Sequence, residues 1–374
     1  MSHFATELCL ALGVALAMAA VARAEILVGV PGPYTGPVAW GGAETERGAE
    51  MAVAHLNVAG GVLGQKIRII KADDYCDGEQ AMAAARKLVA DSVAFVMGHE
   101  CSGAAIPASR IYADAGILMM TNVATNPLLT EQGFENIFRF SGRDDLQGVM
   151  AASYLADNWR GKNIAILHDG EAYGEGLAKE TKKALNEQGL FETMFEEITP
   201  GLVDYQHVVE KMQAANTDVL YYGGYTPEAG LLIRQLRDRG DDLQLVSGDG
   251  MITEDFGLIA GEAAEGTLFT SYSDARNFPA AAEVVAAFRA ANFEPTGSTL
   301  VAYGAMQAWA QAVEKAGTLE LDAVVEALRT DEFDTIYGRV GFDEKGDVYG
   351  YKPFAWYVWD DGDYAPVDPA ELTE

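Results

Sequence analysis

The sequence predicts an α/β protein built as two doubly wound parallel-sheet lobes joined by a hinge that the chain crosses several times. Three observations predict it. Short apolar runs alternate with stretches whose apolar residues recur at helical spacing, the pattern of a parallel sheet covered on both faces. The alternation starts again at Asn163, which implies a second unit of the same kind. The last third of the chain does not repeat it, so that third most simply returns to the first two units.

The first unit begins with a strand at 26–30 and a helix at 44–56. That helix places Ala49, Ala52, Val53 and Leu56 on one face and stops at Gly60-Gly61. A strand at 67–70, a helix at 79–90, a strand at 93–97, a helix at 104–114 and a strand at 117–121 follow. The second unit reads as strands at 163–168, 193–197, 219–222, 244–247 and 266–270, with helices at 175–187, 205–214 and 227–239. Two more helices are expected at 280–291 and 300–316, then an aromatic, strand-like tail with Tyr351, Phe354, Trp356, Tyr357 and Trp359. Crossings are expected near 141–147, Tyr272 and Tyr351. They divide the chain into a first lobe of 25–143 plus 273–352 and a second of 144–272 plus 353–374.

The N-terminus points to export. Residues 8–21 are almost wholly apolar and lead into Ala22-Arg23-Ala24, an A-x-A cleavage signal that makes 1–24 a signal peptide and Glu25 the first mature residue. The segment before it lacks Lys and Arg and carries Glu7, which departs from the usual pattern and leaves an N-terminal membrane anchor as the alternative. The net charge is −30, and loss of Arg23 and Glu7 together leaves it unchanged. Such a chain is a very poor partner for nucleic acid or an anionic membrane surface. The length suits two domains rather than one core.

Cleavage would also remove Cys9 and leave Cys76 and Cys101, the right number for one bridge in an oxidising compartment. Each lies just after an apolar run, where a strand gives way to a loop. A bridge there would staple two strand-end loops, contributing about 3.5 kcal/mol in the chain-entropy model. Two free buried thiols are the alternative. Ligands of open α/β sheets bind at those carboxyl ends.

Several segments carry a resemblance. They are Gly36-Pro37-Val38-Ala39, Asp73-Asp74-Tyr75-Cys76-Asp77, Gly98-His99-Glu100-Cys101-Ser102, His168-Asp169-Gly170-Glu171-Ala172-Tyr173-Gly174-Glu175-Gly176, Tyr221-Tyr222-Gly223-Gly224-Tyr225-Thr226-Pro227-Glu228 and Ala260-Gly261-Glu262-Ala263-Ala264-Glu265-Gly266. In this order and spacing the chain resembles the periplasmic leucine/isoleucine/valine-binding proteins of ABC importers, which have the type I substrate-binding fold. The resemblance spans nearly the whole mature chain. It implies a periplasmic, monomeric protein without cofactor or metal. Such a protein captures a small amino acid between closing lobes and delivers it to permease subunits in the inner membrane.

The resemblance also implies a ligand site. Ser102 stands in the carboxylate-binding position, and independently it precedes a predicted helix, whose N-terminus attracts anions; a plain helix cap is the alternative. Val123 and Thr125 correspond to the other carboxylate and amino contacts of the first lobe, with a turn role the alternative for Thr125. Asp249 corresponds to the acidic residue facing the ligand ammonium, where the family has Glu; an ordinary Asp-Gly turn is the alternative. Tyr225 corresponds to a second-lobe tyrosine that reaches the amino or the carboxylate end, and Tyr173 to an aromatic of the side-chain pocket; core packing is the alternative for Tyr225. Trp40 departs from the family's usual tyrosine and either fills part of the pocket or packs on its rim.

Other functions fit less well. The chain has no H-x-x-x-H, C-x-x-C, G-x-S-x-G or phosphate-loop motif. His99 and His168 end predicted strands and read as structural hydrogen-bonders. Asp73, Asp74, Asp77 and Glu79 lack the distal Glu of an EF-hand and read as solvated loop acids. Two further readings keep the same fold: a pocket for another zwitterion, such as 4-aminobutyrate or an aromatic amino acid, and a sensor that presents its ligand to a receptor.

Overall fold

The computed structural model describes residues 24–372. The expected signal peptide therefore lies, apart from Ala24, outside the described residues. Among the described residues no helix is long and apolar enough to cross a membrane.

The first sheet has five parallel strands in the order β2-β1-β3-β4-β5. These are β1 (Ile26–Gly32), β2 (Ile67–Asp73), β3 (Phe95–Met97), β4 (Leu118–Thr121) and β5 (Ile137–Arg139). Its helices are α1 (Ala39–Val58), α2 (Gly78–Ala90), α3 (Ser102–Ala115) and the single turn α4 (Leu128–Glu131). The central strands β3 and β4 are fully buried, because helices cover both faces, and so they read as continuous apolar runs. Asp77 starts α2 by accepting a hydrogen bond from the Gln80 N–H at 2.9 Å. Helix α1 begins five residues before the expected start, with Gly41 and Gly42 in its first turn. A side chain at Gly42 would lie 2.4 Å from the Pro33 carbonyl oxygen, so only glycine allows the loop after β1 to fold back there.

The second sheet repeats the plan. β6 (Ile164–His168), β7 (Met194–Glu197), β8 (Val219–Gly223), β9 (Gln244–Ser247) and β10 (Leu268–Tyr272) lie parallel in the order β7-β6-β8-β9-β10. Helices α5 (Asp144–Asn158), α6 (Ala172–Glu187), α7 (Gln206–Ala214), α8 (Thr226–Asp238) and α9 (Asp255–Ala260) accompany it. The sequence reading assigned neither α5 nor α9.

The remaining chain ties the two halves together. After β10 it passes through α10 (Ala282–Ala290), α11 (Thr299–Ala316) and α12 (Leu321–Thr330). Helix α11 packs on α1, where a side chain at Gly48 would collide with the Thr299 carbonyl oxygen. Trp309 of α11 stacks on Phe95 at 4.7 Å between ring centroids. A small antiparallel sheet follows: β11 (Phe333–Thr335), β12 (Gly338–Phe342) and β13 (Val348–Tyr349). The aromatic tail then forms β14 (Phe354–Asp360), antiparallel to β10, and β15 (Asp363–Pro366) beside it. The chain thus passes between the two sheets three times: between β5 and α5, between β10 and α10, and between β13 and β14.

Candidate functional site

In both sheets the order reverses beside the first strand, at β1/β3 and at β6/β8. Crevices at such switch points, outside the carboxyl ends of the strands, are where open α/β sheets bind ligands. The two crevices face each other. Between them lies a cavity whose wall includes Trp40, Ser102, Val123, Thr125, Tyr173, Tyr225 and Asp249. Every residue that the sequence nominated is therefore brought to one place. Trp40 lies in the first turn of α1, Ser102 opens α3, Val123 and Thr125 follow β4, Tyr173 lies in the first turn of α6, Tyr225 precedes α8 and Asp249 follows β9.

Ser102 does not cap its helix. The cap position belongs to Cys101, and the Ser102 Oγ accepts a hydrogen bond from the Asn126 N–H at 3.2 Å. The N–H groups of a helical first turn lack partners within the helix, so the α3 terminus remains an anion-attracting end. The loop carrying Val123 and Thr125 is held by Thr121, whose Oγ accepts from Val123 N and Ala124 N and donates to the His99 carbonyl. His99 itself lies buried between Asp74 and the Tyr112 hydroxyl. Of the loop acids, Asp73 accepts from Tyr34 and Thr35, while Asp74 pairs with His99. The disulfide joins Cys76 and Cys101 and so links the loops after β2 and β3.

Asp249 is the most elaborately held group in the second half. Its Oδ1 accepts from Gln147 Nε2 at 2.6 Å and from the Tyr173 hydroxyl at 2.9 Å, and its Oδ2 accepts from the Tyr272 hydroxyl at 3.0 Å. Tyr173 is in turn oriented by the Gly250 N–H at 2.9 Å. Tyr173 therefore serves the carboxylate as well as forming wall. Burial pushes the Asp249 carboxyl up, against these three hydrogen bonds. The neighbouring Asp144 is driven well above the usual carboxylate range, by burial first and by Asp249 second. A ligand ammonium at this point would relieve both.

The halves touch directly around the cavity. Asn126 Nδ2 donates to the Ala172 carbonyl at 2.6 Å, and the Tyr225 hydroxyl lies 3.7 Å from Cys76 Sγ. Tyr225 and Tyr173 pack ring against ring at 5.1 Å. Trp40 is half-buried, and its Nε1 is a buried donor without a partner among the described residues.

Sequence reasoning missed Val38, Glu100, Ile252, Tyr272 and Ser298 as parts of the wall. Glu100 carried a signal, since a charged residue sits between an apolar strand and a cysteine. Ser298 carried none, because it arrives from a loop far along the chain. Behind Ser298, the Glu44 carboxylate accepts from the Ser298 N–H and hydroxyl, yet burial pushes it up to about 7. Folded protein then holds this proton where unfolded chain, near 4.5, has lost it. The sign follows: stability from this group is present below about 4.5 and is lost as pH rises through about 7. Denaturant unfolding of Glu44→Gln should show a shallower fall in stability over that window than the unaltered chain; an identical slope would rule Glu44 out as its source.

The comparisons agree with this geometry. Residues 25–363 match the family model described as periplasmic binding protein. The chain is 45% identical over 357 residues to Leu/Ile/Val-binding protein homolog 1 of Brucella suis, covering 95% of this chain and 96% of that one. It is 41% identical to the leucine-, isoleucine-, valine-, threonine- and alanine-binding protein of Pseudomonas aeruginosa, covering 91% of each. Among solved structures it is similar to the leucine-binding protein LivK of Thermotoga maritima, with a TM-score of 0.85 and 25% identity over 92% of this chain and 98% of that one. It is also similar to the branched-chain amino acid transporter substrate-binding protein LivJ of Streptococcus pneumoniae in complex with isoleucine, with a TM-score of 0.81 and 26% identity over 92% of this chain and 100% of that one. With its two switch-point crevices facing each other and residues 25–363 matched to the family model, the chain belongs to the periplasmic binding protein family.

Proposed function

We propose that this protein is the extracytoplasmic solute-binding component of an ABC importer and that it captures an α-amino acid between its two lobes. One observation carries the reading: the cavity brings Ser102 and Thr125 on one side opposite Tyr225 and Asp249 on the other. An α-amino acid needs an anion site and a cation site a few ångströms apart, and these groups supply both. The helix terminus at Ser102 takes the carboxylate. Asp249 and the Tyr225 hydroxyl take the ammonium. A zwitterion bridging both lobes binds the closed form better than the open one, so it shifts the population toward closure. Excluding water then strengthens the charge-assisted bonds.

In this reading the lobes are 25–143 plus 273–352 and 144–272 plus 353–374, after removal of a signal peptide over 1–24. The protein is a periplasmic monomer without catalytic activity, cofactor or nucleic-acid partner, and its protein partners are permease subunits of the inner membrane. The relatives' ligands make leucine, isoleucine and valine the first to test, although the groups named so far recognise only the α-carbon end.

A thermal-shift screen of ligand-stripped protein against the amino acids and 4-aminobutyrate tests the proposal. A ligand at 100 times its dissociation constant should stabilise the fold by about 2.7 kcal/mol. A folded sample that no amino acid stabilises would overturn the reading. Ser102→Ala should bind the stabilising amino acid at least tenfold more weakly by calorimetry while keeping a native circular dichroism spectrum; equal affinity would take Ser102 out of the carboxylate site.

A further inference from the structure

Glu100 is the wall residue that the reading so far leaves without a task. It follows β3, directly before the disulfide, and is 94% buried, with 6% of its surface exposed. Its Oε2 accepts from the Thr45 hydroxyl at 3.2 Å. Its Oε1 accepts no hydrogen bond from any described residue, and it is not among the solvent-sealed orphan atoms. This carboxylate oxygen therefore retains a free acceptor face in a cavity wall. The lack of a side chain at Gly41 makes room for it, since a Cβ there would lie on top of Oε1.

The charges of the cavity do not balance for a simple zwitterion. Glu100 and Asp249 both line it, and among the described residues no Lys, Arg or His does. An α-amino acid with an apolar side chain brings one cation and one anion, so Asp249 is matched and Glu100 is not. Glu44 stands behind Glu100 through the Ser298 and Thr45 hydroxyls and brings no positive charge. Burial pushes Glu100 well above the usual carboxylate range, with Glu44 next in effect and Asp74 and Asp249 adding to it. A buried charge without a partner is costly, and a buried charge with a hydrogen-bonded cation is not. The strongly negative chain would also draw such a cation toward the cleft.

We propose that Glu100 selects an α-amino acid whose side chain ends in a second cation, an ammonium or a guanidinium. The proposal rests on the α-amino-acid reading of the same cavity and names its substrate class. Asp249 holds the α-ammonium and Glu100 holds the side-chain cation, while Val38, Trp40 and Ile252 offer apolar surface to the methylenes between them.

Calorimetry on the ligand-stripped, disulfide-intact mature protein tests this with L-lysine, L-ornithine, L-arginine, L-leucine, L-isoleucine and L-valine. At least one cationic amino acid should bind tenfold or more tightly than leucine. Glu100→Leu should lose that preference and gain on leucine, and the shape-preserving Glu100→Gln should lose tenfold or more on the cationic ligand alone, each with a native circular dichroism spectrum. Leucine binding at least as tightly as every cationic amino acid to the unaltered protein would overturn the selection by Glu100 and leave the α-amino-acid site standing. Glu100→Gln that binds the cationic ligand with unchanged affinity would also overturn it. A folded protein that binds none of the six overturns this proposal, and the thermal-shift screen over all the amino acids then decides the reading beneath it.

Discussion

Asp249→Ala is expected to weaken amino-acid binding by at least tenfold, about 1.4 kcal/mol, and by much more if the ligand ammonium is fully desolvated. The residue is 6% exposed and gathers three donors, Gln147, Tyr173 and Tyr272, around one carboxylate. The substitution removes the ammonium's counter-charge and strands those donors at once. Truncating one partner of a buried charge pair costs about 2 to 5 kcal/mol, largely because the other charge stays buried alone. Calorimetry against the amino acid found in the thermal screen reads the effect. Asp249→Asn separates charge from packing: it keeps the shape and loses the charge, and it should lose most of the same affinity. Unchanged affinity in both variants would remove Asp249 from the ligand site.

Arg139→Met should lower the stability of the fold by about 3 to 5 kcal/mol, the usual cost of removing one partner of a buried ion pair. Arg139 ends β5 with its side chain fully buried. Its Nε donates to Asp347 at 2.8 Å, Nη1 donates to the carbonyls of Ala124 and Asn126, and Nη2 donates to the Thr130 hydroxyl. Arg143 reaches the other Asp347 oxygen at 2.8 Å. Burial works against the Asp347 charge, but Arg139 and Arg143 outweigh it and hold the carboxyl below its usual value. The network ties the returning chain before β13 to the loop that carries Thr125. The variant should therefore lose ligand affinity as well as stability. Guanidinium unfolding followed by two probes measures the loss. A change under about 1 kcal/mol would mean that this pair behaves like an exposed one.

Much of the fold was legible because its signals are local. Strands β3, β4, β6 and β8 are apolar on both faces, and helices such as α2 and α8 carry an apolar stripe, so each appears within a window of a few residues. Helix α5 was not legible for a physical reason. It buries Gly148, Ala151 and Ala152, which are too small to mark a stripe, and it buries Asp144 and Gln147, which look like surface residues. Gln147 is buried because it donates to Asp249, and it donates to Asp144 as well. Helix α12 buries Val324 and Leu328 at helical spacing, yet the sequence reading passed over it.

The candidate site was legible to the extent that its members sit at strand ends and helix starts. Ser102, Tyr225 and Asp249 all do, and the sequence placed them there before their neighbours were known. Thr125 needed the loop after β4, where no periodicity helps. Tyr272 was visible only as a hinge residue, and its hydroxyl contact with Asp249 spans 23 positions. The helix-cap alternative for Ser102 could be settled only by the backbone angles of Cys101.

The sequence by itself determined the α/β alternation, the restart at a second unit, the return of the last third and the two cysteines at strand ends. All of these are encoded in spacing along the chain, which short-range sterics and burial translate directly into strands and helices. Only the tertiary structure decided who faces whom across the cavity. Asp249 meets Tyr173 from 76 positions away, and Arg139 meets Asp347 from 208. Those meetings depend on strand order and on where the chain crosses between the sheets. Glu100 shows the difference most clearly: its charge was plain in the sequence, but its free oxygen in a cavity wall with no cation among the described residues arises only when residues from both sheets come together around it.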